Sequence, residues 1–248
     1  MDKRSFIAKN VANMFHDGDV VNLGVGIPTL ASTFVPDGMT VLFHAENGCV
    51  GADKAGGYPW DDSSRESVIA WMETCGGELG SWRTVHRDLC NASGEVITLI
   101  PGAACFDSNM AFAIARGGHL DATVLGALQV DQECNLANWK IPGKKLNGMG
   151  GAMDIVSGAK RVIIAMEHCN KAGEPKIVKN CTLPLTAVGC VNAIVTELCI
   201  IECAPGKLTV VAVAPGVTEE EIRRKTEAEL YFAPDLREML AEIGRAHV

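Results

Sequence analysis

Val20-Val21-Asn22-Leu23-Gly24-Val25-Gly26-Ile27-Pro28-Thr29 decides the fold class. Its first four residues make a short apolar run, the pattern of a strand in an α/β sheet. Gly24-Val25-Gly26 then turns the chain. Pro28 suits the first turn of a helix, where its missing N–H has no partner to lose. The segment therefore predicts strand, glycine turn and a helix running through residue 34. Upstream, Ile7, Val11, Met14 and Phe15 share one helix face over residues 4–16, with Gly18 as the stop. Downstream, Pro36-Asp37-Gly38 turns the chain into a second strand, residues 40–45, which ends at Glu46-Asn47-Gly48.

The alternation continues along the chain. Strand-like runs fall at 96–100, 122–130, 161–166, 193–201 and 208–213. Asp107 can cap a helix over 108–115. Thr218-Glu219-Glu220-Glu221 fits a capping box ahead of a helix over 222–230, because the third helical residue is a glutamate. Residues 51–95 break the rhythm with turn formers and carry Trp60, Trp71 and Trp82. They read as a surface excursion with a short helix near 67–74. The whole predicts an α/β fold, with an open, mostly parallel or mixed sheet flanked by helices, in a single domain over 1–248.

Composition excludes several classes. A formal net charge of -8 leaves no general basic surface to replace phosphate counterions, so no nucleic acid is expected as a partner. No run approaches the roughly 18–20 apolar residues of a membrane span, and the N-terminus MDKRSFIAKN lacks a signal-peptide core. These features predict no membrane association and a cytoplasmic location. The ten cysteines lie singly, with no C-x-x-C spacing, and are expected reduced and mostly buried. His168-Cys169 lacks a further residue at ligand spacing, so no metal site is expected.

Three clusters can carry chemistry. Gly24-Val25-Gly26 follows a strand and can either cradle a phosphate or simply let strand and helix pack closely. Glu46 stands at the carboxyl end of a strand, where open α/β sheets bind their ligands, with His44 two residues earlier on the same side. Its spacing alone fits a turn cap or an ion pair with an arginine equally well. Gly148-Met149-Gly150-Gly151 can expose backbone N–H groups to an anion, or can be a tight connection between packed elements. Serine, zinc-protease and P-loop signatures are absent from the sequence. Lys54 is the only basic residue near the Gly24 and Glu46 loops in the sequence.

The ordered set of these segments resembles a family. Residues 21–28, Glu46-Asn47-Gly48, the run from Arg116 to Asp131, Asn135 to Trp139, Gly148 to Asp154, Met166-Glu167-His168, Cys181 to Thr186 and Ala214 to Thr218 together resemble the B (beta) subunit of class I coenzyme A transferases. This group includes the 3-oxoacid, acetate/acetoacetate and butyrate/acetoacetate enzymes. The resemblance covers nearly the whole chain. It implies that Glu46 is the nucleophile and that the backbone N–H groups of Gly150 and Gly151 face an oxyanion. It also implies that Gly24, Gly26, Asn47, Gly48, Gly148 and Met149 line the substrate and CoA site. Coenzyme A is then a substrate, and no separate cofactor is implied.

The expected reaction transfers CoA from a short-chain acyl-CoA to a free carboxylic acid through a glutamyl-CoA thioester, with ping-pong kinetics. The expected partner is an A (alpha) subunit in an α2β2 assembly. The usual family pattern is shorter between Gly51 and Ile97, so the expanded segment is a departure that can shape the acyl pocket or a subunit contact. The rival readings are a non-catalytic ligand-binding or regulatory module and a sugar-phosphate isomerase on the same type of sheet.

Overall fold

The computed structural model describes residues 1–54, 89–94, 97–143 and 148–240. Helix α1 (Lys3–Ala12) starts at Asp2, whose carboxylate accepts from the N–H groups of Arg4 and Ser5. There follow β1 (Val20–Leu23), α2 (Ile27–Leu30), β2 (Leu42–Ala45), β3 (Cys49–Lys54), β4 (Ile97–Cys105) and α3 (Ser108–Arg116). Next come β5 (Ala122–Leu125), β6 (Gln129–Asp131), β7 (Leu136–Ala137) and α4 (Ala152–Gly158). The last third holds β8 (Val162–Ala165), β9 (Ile177–Val178), β10 (Ala193–Val195), β11 (Cys199–Ala204), β12 (Lys207–Val213), α5 (Glu219–Arg224) and β13 (Leu230–Glu238).

Ten of the described strands form one sheet in the order β13-β12-β11-β10-β8-β5-β1-β2-β3-β4. Its centre, from β10 to β2, is parallel, and antiparallel strands extend it on both sides. The chain passes from β1 outward to β2 and later returns to lay β5 on the other flank of β1. That reversal makes the carboxyl ends of β1 and β5 a topological switch point, the place where such sheets open a crevice.

Both faces are covered. Val21 of β1 and Val124 of β5 pack with Ile7, Val11 and Phe15 of the N-terminal segment on one face. On the other face Val20 packs with Ala115 of α3 and Ile155 of α4. A larger cluster joins Leu125, Ile164 and Ile194 to Val130, Leu136 and Ile177 of a separate three-stranded sheet, β7-β6-β9. The mixed α/β architecture agrees with the sequence expectation. Among the described residues no helix is long and apolar enough to cross a membrane.

Several elements differ from expectation for local reasons. The helix expected through residue 34 tightens after Leu30 into a 3-10 turn, Ala31–Phe34. The Ser32 and Thr33 hydroxyls donate back to the carbonyls of Thr29 and Leu30, competing with the helical ladder. The run 193–201 is a hairpin rather than one strand, because the Thr196 hydroxyl accepts from the N–H groups of Leu198 and Cys199 and fixes a turn. The run 122–130 is likewise two strands, β5 and β6. Thr218 caps α5 as expected, but the helix ends at Arg224 and Leu230 begins a strand parallel to β12. Residues 51–54 of the expected excursion lie in β3, while the helix expected near 67–74 and all three of its tryptophans lie outside the described residues.

Candidate active site

A row of polar side chains crosses the parallel strands where the sequence shows only apolar runs. In register, Asn22 of β1 lies between His44 of β2 and Thr123 of β5. All three are buried, and a buried amide must be fully paired to be tolerated. The Thr123 hydroxyl donates to Oδ1 of Asn22 at 3.3 Å. The Nδ2 of Asn22 donates to the His44 carbonyl at 3.2 Å and to Oε2 of Glu46 at 3.0 Å. Both groups facing Nδ2 accept only, so the amide orientation follows from its neighbours.

Glu46 is half-buried in a tight turn that joins β2 to β3. The N–H of Gly48 donates to the Ala45 carbonyl at 3.0 Å, closing the turn with Glu46 at its first central position. Gly48 has φ +135°, and a β-carbon there would collide with the carbonyl oxygen of Phe106. The Phe106 N–H in turn donates to the Gly48 carbonyl at 2.9 Å. Asn47 points its amide away from Glu46, donating to the Cys90 carbonyl at 2.7 Å. Among the described residues, Oε1 of Glu46 has no partner.

His44 supports the turn from below. Its Nε2 lies 3.2 Å from the carbonyl of Ala111 in α3, and its ring stacks on Phe106 with centroids 6.5 Å apart. A carbonyl accepts only, so Nε2 carries the proton and Nδ1 faces the Asn22 amide. Burial holds the imidazole below its ordinary pKa, against the pull of the Ala111 carbonyl and the Glu46 charge. His44 is therefore neutral at pH 7, and Glu46 and His44 share the Asn22 amide as neighbours on one face.

The two glycine clusters stand on either side of this turn. Gly24 donates its N–H to the Val124 carbonyl at 2.8 Å, and a β-carbon on it would come within 3.1 Å of Val124 O and Leu125 Cδ2. Gly26 has φ +96°, a region that favours glycine. Close packing and backbone geometry thus account for both residues, and Val25 between them is 71% exposed at the loop tip. A guanidinium nitrogen of Arg4 lies 3.6 Å from the β-carbon position of Gly26. The sequence expectation that Lys54 alone approaches these loops is corrected by that contact, which α1 makes across 22 residues of chain.

Gly151 precedes α4, and a β-carbon on it would lie 2.7 Å from the Phe112 ring. Gly148 and Gly150 have φ +82° and +56°, and both are exposed beside half-buried Met149. Among the described residues, the N–H groups of Gly150 and Gly151 have no acceptor. The segment from Phe106 to Phe112 therefore bridges the two loops. It holds the Glu46 turn through Gly48 and His44 at one end and abuts Gly151 at the other. Asn22, Thr123 and Arg4 carry no assigned role in the sequence reading. A lone asparagine inside an apolar strand was the available signal.

The fold and site define an open, doubly covered α/β protein with a fixed carboxylate at the carboxyl edge of its parallel strands. A family model described as Coenzyme A transferase matches residues 5–225, and the chain belongs to that family. It is 45% identical over 236 residues to the beta subunit of the acetate CoA-transferase of Escherichia coli K12, covering 95% of this chain and 97% of that protein. It is 43% identical over 226 residues to the B-type subunit of the succinyl-CoA:3-ketoacid coenzyme A transferase of Helicobacter pylori, covering 91% and 97%. Among solved structures, an acyl-CoA transferase apoenzyme from Escherichia coli O157:H7 superposes with a TM-score of 0.68 at 20% identity. That match covers 96% of this chain and 43% of the larger protein. The family resemblance read from the ordered motifs is borne out, as is the fold.

Proposed function

We propose that this chain is the nucleophile-bearing subunit of a coenzyme A transferase that moves CoA from a short-chain acyl-CoA to a free carboxylic acid. Acetate, acetoacetate, butyrate and succinate are the acids in view. The observation that carries the reading is the Glu46 carboxylate: Asn22 holds Oε2 at 3.0 Å, while Oε1 has no partner among the described residues.

In the first step Oε1 attacks the thioester carbonyl, the C–S bond breaks, and CoA thiolate leaves a mixed glutamyl-acyl anhydride. The thiolate then attacks the glutamyl carbonyl, breaks the anhydride C–O bond and releases the first acid. Glu46 now carries CoA as a thioester, and a second carboxylate reverses the two steps. Acceptor and nucleophile are both carboxylates, so the exchange is close to balanced in energy.

Each attack builds a tetrahedral oxyanion. The unpaired N–H groups of Gly150 and Gly151 are suited to receive it, and one such donor is worth about 2.7–4 kcal/mol in comparable sites. Gly24, Gly26, Asn47, Gly48, Gly148 and Met149 form the surrounding loops proposed to accept the CoA chain. Binding of that remote chain can be used to reach the strained anhydride.

The names of the two bacterial relatives, each one half of a transferase, support an A (alpha) subunit as partner, proposed here as an α2β2 assembly with neither half active alone. Incubating the reconstituted pair with several acyl-CoAs and mapping peptides by mass spectrometry tests the reading. A CoA adduct on the peptide containing Glu46 is expected. An unmodified peptide during measurable turnover overturns it.

A further inference from the structure

Three thiols surround the turn that carries Glu46, and two of them stand directly opposite each other. Cys49 of β3 and Cys105 of β4 are antiparallel register partners. The Phe106 N–H donates to the Gly48 carbonyl, so the hydrogen bond joins the residues flanking the pair. That pattern makes Cys49 and Cys105 a non-hydrogen-bonded pair, the position where opposing Cα atoms come closest, about 4.5 Å apart. Their side chains share one face of the sheet. A disulfide spans Cα separations of about 4.4–6.8 Å, so the pair can be bridged with little backbone movement.

The two sulfurs have different surroundings. Cys105 is exposed at the sheet edge, whereas Cys49 is buried beside Ala45, Ala52 and Ile97. Burial, with Cys105 next in effect, pushes the Cys49 thiol up to about 11. An oxidant thus meets Cys105 first. Cys90 also acts on Cys49 electrostatically, and its carbonyl holds Asn47. It lies on a separate segment without register to β3.

We propose that Cys49 and Cys105 form an oxidisable pair that a hydroperoxide closes into a disulfide directly behind the Glu46 turn. The Cys105 sulfur attacks one peroxide oxygen, the O–O bond breaks, and a sulfenic acid forms as water or alcohol leaves. The Cys49 sulfur then attacks the sulfenic sulfur, the S–O bond breaks, and the second oxygen departs as water. Two thiols lose two electrons and two protons, and one peroxide is reduced. The bond adds a covalent tie at the residue following Gly48 and closes the chain between 49 and 105 into a loop. A thiol reductant reverses it.

The assembled full-length protein is treated with hydrogen peroxide, its remaining thiols are alkylated, and it is digested without reductant. The expected product is a peptide pair joined through Cys49 and Cys105 that separates on reduction. In Cys105→Ser, Cys49 is expected to remain unjoined and fully alkylated after denaturation. Recovery of Cys49 and Cys105 on separate peptides in any oxidation state, or a Cys49–Cys90 crosslink, overturns the proposal. Because the readout is covalent mapping, it is independent of whether Glu46 carries CoA.

Discussion

The Nδ2 of Asn22 lies 3.0 Å from Oε2 of Glu46, and Thr123 fixes the same amide from the opposite side at 3.3 Å. A residue inside the sheet thereby aims a residue in a surface turn. In Asn22→Ala the Thr123 hydroxyl and the Glu46 carboxylate both lose their partner. Losing a hydrogen bond to a charged group is worth about 1.5–3 kcal/mol, so kcat of the reconstituted enzyme is expected to fall roughly 10–100-fold. Steady-state CoA exchange measures this, and an unchanged kcat would show that the amide does not position the nucleophile.

Glu46→Gln keeps an acceptor oxygen for the Asn22 amide, so the turn should hold its shape. It removes the nucleophilic oxygen. Turnover is expected to drop on the order of 10⁴-fold, by analogy with removal of other catalytic nucleophiles. Acyl-CoA binding, followed by calorimetry, should change by no more than a few-fold. A regulatory module would show binding in both forms and no turnover in either, which separates that rival.

Gly151 and Phe112 test how the oxyanion loop is seated. A β-carbon at 151 would stand 2.7 Å from the Phe112 ring, so Gly151→Ala should destabilise the protein by about 1–3 kcal/mol. Adding Phe112→Ala removes the obstruction. Urea titrations of the single and double variants should therefore be non-additive by at least about 0.5 kcal/mol. Strict additivity would mean the ring yields freely.

His168 should give acid sensitivity. It is fully buried between the Thr196 and Thr226 hydroxyls, at 3.0 and 2.9 Å. Burial first, with Lys225 and Lys176 adding to it against Glu197 and Glu221, pushes its pKa down to about 4 from 6.5. The unfolded imidazole takes up a proton below pH 6.5, whereas the folded one resists until about 4. Its contribution is thus intact above pH 6.5 and is lost as pH falls toward 4, about 3 kcal/mol over the whole window. Urea unfolding at pH 7 and pH 5 should show a wild-type loss larger than that of His168→Gln by about 2 kcal/mol. Equal losses would place the acid sensitivity elsewhere.

The parts of this molecule that depend on neighbours in sequence were legible from it. The β1 strand, the helix cap at Asp107 and the cap at Thr218 each rest on local pattern, and each is present. Parts that depend on distant partners were not. Nothing local distinguishes Leu230 as a strand start, because its pairing with β12 is made by tertiary contact. The polar row from His44 through Asn22 to Thr123 needs strand register across as many as 101 residues. The position of Glu46 was readable as a strand end, but its anchor was not. Likewise Arg4 reaches Gly26 only once α1 has packed on the sheet.

The segment from Phe106 to Phe112 touches the nucleophile's turn at one end and Gly151 at the other. Two groups mounted on one rail drift together. A rocking of this helix against the sheet moves Glu46 and the glycine loop in common mode, and the gap between them stays nearly constant. Catalysis is sensitive to displacements of about 1 Å between reacting groups, so a shared mount filters out the motion that would matter most and leaves the rest harmless.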